Sequence, residues 1–216
     1  MSDYLAIGWE EFCFTIPGWW RPIDLSGDVA AQIDDVLLTQ FEGRPEEHVK
    51  AVAVTRDKLI ESMQTAAKRG IGLVFVEVRG MAFDGGPEQG VLTGAQLVVS
   101  RLEVPAKTTG LNHLLPQMVA NPDGRLRNLA GMAVFRHEST SDGTAAAKHM
   151  YKSVGRPLEA TKPVAQHLVR YLVGPVDMGK PWVAMAISIN ESTVPDGVTR
   201  PLLNLVDSIA LTVRSL

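Results

Sequence analysis

Hydrophobic and polar positions alternate, cluster and fade along this chain in a way that separates helical from extended segments. From Glu11 to Leu25 the run EFCFTIPGWWRPIDL puts Phe12, Phe14 and Ile16 on one side and turns at Pro17-Gly18, which predicts a first strand or two. Asp28 to Phe41 places Val29, Ile33, Val36, Leu37 and Phe41 at helical spacing, with Ser26 or Asp28 available to accept the first free amides. A longer helix is expected from Pro45 to Arg69. Pro45 suits its first position, Glu46 and Glu47 its positive end, and Gly70 its close.

Ile71 to Arg79 (IGLVFVEVR) is β-branched and almost continuously apolar, the pattern of a strand covered on both faces. The stretch Gly80 to Gly90 reads as a turn, and Val91 to Val104 resumes strand character and pairs antiparallel with the preceding strand. Leu111, Leu114, Leu115, Met118 and Val119 suggest a short helix that Pro116 interrupts. Leu126 to Phe135, Val164 to Val173 and Trp182 to Ile189 read as strands, and Ser139 to Lys162 as a polar loop or an extra hairpin. Pro201 opens a last helix to Ser215, with Leu202, Leu205, Val206, Ile209 and Val213 at helical spacing. The expected fold is α+β: one domain over 1–216, with helices packed on an antiparallel sheet of five to seven strands.

Composition changes this picture little. The 216 residues are 45% hydrophobic and 21% charged, enough apolar material for a sizeable core. A formal net charge of -3 lacks the basic excess that nucleic acid or an anionic membrane would need, so neither is an expected partner. No stretch reaches the roughly 20 apolar residues of a membrane span, and no signal peptide is recognisable, which predicts a soluble cytoplasmic protein. Cys13 is the only cysteine; its apolar Phe-Cys-Phe setting predicts an inert thiol.

Chemical motifs are sparse. The glycines around Gly85 and Gly86 lack the Lys-Ser/Thr of a phosphate loop and lead into a strand instead of a helix. None of His48, His113, His137, His149 and His167 pairs with another at the i, i+4 spacing of a zinc helix, and no Gly-x-Ser-x-Gly elbow occurs. The expected catalytic, cofactor and metal sets are therefore none. The acidic pairs Glu10-Glu11, Asp34-Asp35 and Glu46-Glu47 read as diverging, solvated side chains. The densest feature is aromatic: Trp9, Phe12, Phe14, Trp19 and Trp20. Tryptophan is enriched at the centres of protein interfaces, so Trp9, Trp19 and Trp20 are the candidate partner-binding residues, with at least one of Trp19 and Trp20 expected to be exposed.

The order of local patterns is suggestive: F-x-I-P-G-W from Phe14, R-x-L-A-G-M-A-V-F-R from Arg127, Y-L-V-G-P-V from Tyr171, W-V-A-M-A-I-S-I from Trp182 and V-D-S-I-A-L-T-V from Val206. Together they resemble an actinobacterial family similar to small mycobacterial lipoproteins of the PsbP-like fold superfamily. The resemblance implies an antiparallel sheet flanked by helices, an α/β/α sandwich, and a role in binding or assembly. The chain departs from it in lacking a lipoprotein signal and a lipidated cysteine. The leading expectation is thus a non-enzymatic binding or adaptor protein acting through protein-protein contacts, assisting a secretion or other multiprotein system. The alternative is a hydrolase-like enzyme whose site assembles from His137, Glu138, His149, His167 and Asp84. A third reading makes the chain a subunit of a homo-oligomer.

Overall fold

A computed structural model describes residues 4–41, 48–80, 93–103, 132–141, 166–175, 180–190 and 197–216. In chain order these form β1 (Tyr4–Trp9), β2 (Phe12–Pro17), β3 (Trp20–Asp24), α1 (Val29–Phe41), α2 (His48–Lys68), β4 (Leu73–Glu77), β5 (Gln96–Leu102), β6 (Met132–Ser141), β7 (Gln166–Pro175), β8 (Trp182–Asn190), α3 (Thr199–Thr212) and β9 (Arg214–Ser215). They build two antiparallel sheets, a small one in the order β1-β2-β9 and a large one in the order β3-β4-β5-β8-β7-β6. The α+β class is as expected.

Local chemistry explains several boundaries. Asp28 starts α1 by accepting the amide of Ala31 on its carboxylate. Gly70, at φ 81°, ends α2: its amide bonds to the carbonyl of Ala67 while that of Ile71 bonds to Ala66, the paired closure that a left-handed residue permits. β4 lies inside the large sheet and all five of its residues are buried, because both its faces are covered. Val74 and Val76 meet Ile33, Val36 and Leu37 of α1 and Met63 of α2. Leu73 and Phe75 face the opposite way, into a larger cluster with Phe12, Phe14 and Ile16 of β2 and Leu202, Val206 and Ile209 of α3. Helices therefore pack on both faces of the sheet.

Three expectations need correction. The last helix stops at Thr212 and not Ser215, because Val213 turns extended (φ -62°, ψ 129°) and β9 then pairs with β2. The strand expected to end at Phe135 runs on to Ser141, paired with β7 throughout. β1 was not foreseen; it joins β2 through Glu10-Glu11, with Glu10 at φ 52° where glycine or asparagine is usual. The expected helix around Leu111 to Val119, the starts of the Pro45 helix and of the Leu126 strand, and most of the Ser139 to Lys162 segment fall outside the described residues.

Candidate functional site

Strand periodicity decides which polar residues meet. On β6 the even-numbered residues, and on β7 the odd-numbered ones, share the face turned toward α3: Val134 lies opposite Val173, Arg136 opposite Tyr171, Glu138 opposite Val169 and Thr140 opposite His167. Arg136 thus follows Met132 and Val134 on the core side, ahead of Glu138 and Thr140, and is only 8% exposed. Its Nε donates to Asp207 Oδ1 of α3 at 2.7 Å, and its other arm lies 2.8 Å from Glu138 Oε2. Tyr171 donates its hydroxyl to the same Asp207 oxygen at 2.5 Å.

Burial of this kind opposes charge on a guanidinium, but the hydrogen bonds to Asp207 and Glu138 outweigh it and hold the Arg136 pKa above its ordinary value. Burial first, and then the bond to Asp207, push the Tyr171 phenol upward as well. Arg136 and Tyr171 therefore act as fixed donors across the physiological range. Next to them, His167 Nδ1 lies 3.6 Å from Glu138 Oε1 and 3.4 Å from Thr140 Oγ1. A hydroxyl-imidazole-carboxylate relay needs the hydroxyl and the carboxylate on opposite ring nitrogens. Here both approach the same one.

The structure thus brings together Glu138 and His167 of the expected set, and separates His137 from them. His137 lies opposite Arg170, on the other face of the sheet. His149 and Asp84 lie outside the described residues. Arg136, Tyr171 and Asp207 were not singled out, although a signal existed. Arg136 continues the inward row of Met132 and Val134, and Asp207 continues the α3 stripe of Leu203 four residues on.

A second buried charge sits where β4 ends. Glu77 is 3% exposed, and its Oε2 accepts the amide and hydroxyl of Thr93, each at 2.8 Å, and the amide of Gly94 at 3.1 Å. Among the described residues its Oε1 has no partner, nor does Nε1 of Trp20, the residue opposite it on β3. Burial raises the Glu77 pKa despite the bonds it accepts.

Two of the three tryptophans lie in the core. Trp20 is wholly buried, which corrects its expected place at a partner surface. Trp9 is nearly so: its ring lies so close to Gly72 that a Cβ there would come within 2.4 Å of it. Trp19 is half-buried against Trp20, ring centroids 5.9 Å apart, and is the one of the three left partly open. Cys13 is buried, in line with an unreactive thiol. Glu10 and Glu11 do not diverge as expected. Both approach Arg101, at 4.0 and 2.9 Å, because a tight turn and not a helix carries them.

A groove of about 400 Å³ runs along α2, edged by Lys58, Glu61, Thr65 and Arg69, whose charged rim is unlike the apolar lining of small-molecule sites. Among the described residues, no group of three or more His, Cys, Asp or Glu is placed to hold a metal, and no helix is long and apolar enough to cross a membrane. No protein-family model matches the chain, and no curated protein does.

Proposed function

We propose that this chain is a non-enzymatic binding or adaptor protein that acts through protein-protein contacts, on a PsbP-like frame, within a secretion or other multiprotein system. The observation that carries the reading is the outer face of the small sheet. Register places Tyr4, Ala6 and Gly8 of β1 on one face with Cys13, Thr15 and Pro17 of β2 and Arg214 of β9. Leu216 adjoins that face at Gly8. On that face Tyr4 (60%) and Leu216 (74%) are exposed, as are Ala6, Gly8 and its single charge Arg214, whereas Cys13 and Pro17 are buried. An exposed apolar surface with an aromatic anchor is what a protein contact uses. Trp19, two residues past Pro17, lies at the end of the sheet where Tyr4 emerges.

Support for the frame comes from the antiparallel sheet with helices on both faces. The enzyme alternative draws on the Glu138–His167 approach alone, and the shared nitrogen weakens it. In affinity capture from the native cell, Leu216→Asp should lower recovery of the bound protein at least tenfold, since burying a charge in an apolar contact costs several kcal/mol. His167→Ala should leave recovery unchanged. Equal recovery by wild type and Leu216→Asp would remove this reading, and a turnover abolished by His167→Ala would install the enzyme.

A further inference from the structure

Among the described residues each sheet has two edge strands, and three of the four carry features that discourage pairing with another chain. β3 (WRPID) contains Arg21, Pro22 and Asp24; β6 contains Arg136, His137 and Glu138; β9 is two residues long and begins with Arg214. Charge, proline and brevity are the usual protections of a free edge, whose unpaired amides and carbonyls otherwise recruit a strand. β1 (YLAIGW) has none of them. It is six residues long, uncharged and free of proline, and it pairs with β2 without a bulge.

The edge is also open to solvent. Tyr4, Leu5, Ala6 and Gly8 are all exposed, and Gly8 has no side chain, so its exposure is exposure of backbone. Of the charged residues that flank the strand in sequence, Asp3 lies outside the described residues, and Glu10 and Glu11 both approach Arg101.

We propose that β1 pairs antiparallel with β1 of a second copy of this chain, about a two-fold axis normal to the sheet, to give a continuous six-stranded sheet. This deepens the reading of the small sheet as a contact surface and rests on it. An uncharged strand meets no like-charge repulsion from its own copy, and a two-fold contact closes on itself instead of growing into a fibre. The axis also fixes the register. Rotation about the sheet normal keeps like faces on the same side, so paired residues must both be even or both be odd. Placing Ala6 opposite Ala6 pairs Leu5 with Ile7 and Tyr4 with Gly8, and uses the exposed part of the strand. Centring on Ile7 would draw in Trp9, which is buried against Gly72. Five residue pairs fall below the roughly 1,200 Å² of a standard interface, so the dissociation constant is expected on the order of 10 to 100 µM.

Sedimentation velocity of the full chain between about 1 and 500 µM reads this directly, across the range set by that constant. Wild type should pass from monomer to dimer, Leu5→Lys and Ala6→Lys should stay monomeric with unchanged circular dichroism, and Leu38→Lys, exposed on α1, should dimerise as wild type does. Oxidation of Ala6→Cys should trap a disulfide-linked dimer, a readout that does not depend on how well the lysine variants fold. A monomeric wild type at the highest concentration, a dimer kept by both lysine variants, or an edge that takes up only a foreign protein strand would each overturn self-pairing. Capture that still depends on Leu216 in those cases would leave the proposed function standing.

Discussion

At Gly174 and Gly72 the absence of a side chain is what lets a tryptophan ring lie on the backbone. A Cβ at Gly174 would come within 2.2 Å of the Trp182 ring, which is buried and stacked on Phe135, and one at Gly72 within 2.4 Å of Trp9. A rigid indole in a packed core has little room to retreat, so Gly174→Ala should destabilise the protein by about 2 to 3 kcal/mol in urea unfolding. Glu77 makes a different demand on the fold. Its folded pKa lies above the ordinary 4.5, chiefly through burial, so its contribution to stability is fully present below pH 4.5 and is lost as pH rises through the raised value. Glu77→Gln removes that loss. Relative to wild type, the variant should gain stability between pH 4 and pH 8. Unfolding curves at the two pH values check this, and a constant difference between the proteins would show that Glu77 ionises as freely as in water.

Elements with strong periodicity were legible in the sequence, and those defined by long-range pairing were not. The stripe in α1, the glycine closure of α2 and the continuous apolar run of β4 each report local physics, and the structure places all three as read. β1 escaped because Tyr-Leu-Ala-Ile-Gly-Trp has no polar residue to set the period, and its turn uses Glu10 in a left-handed conformation that no sequence rule assigns to glutamate. β9 exists only because β2 offers it an edge, 201 residues away in the chain at the Cys13-Arg214 pair. The candidate site was half legible for the same reason. Glu138 and His167 were named for their chemistry, but Asp207, which through Arg136 joins Glu138 to α3, lies 69 positions beyond Glu138, and only the β6-β7 register shows which histidine shares the face of Glu138.

For the whole molecule, the Arg136 cluster joins α3 to the paired strands β6 and β7: β6 gives Arg136 and Glu138, β7 gives Tyr171, and α3 gives Asp207. The same helix leads into β9 and so ties the large sheet to the small one, where the proposed contact surface lies. A buried charge pair of this kind is a clamp if its members depend on each other for stability. If they are held apart from the fold for chemistry, they contribute little to it or strain it. A double-mutant cycle on Arg136→Met and Asp207→Leu, read by urea unfolding at pH 7, separates these outcomes most directly. Asp207→Leu should cost about 3 kcal/mol, because it removes the partner of the buried Arg136, Arg136→Met about 2 kcal/mol, because Asp207 is only partly buried, and the double change about 2 kcal/mol less than their sum. Additive costs, with no coupling between the two positions, would contradict the clamp.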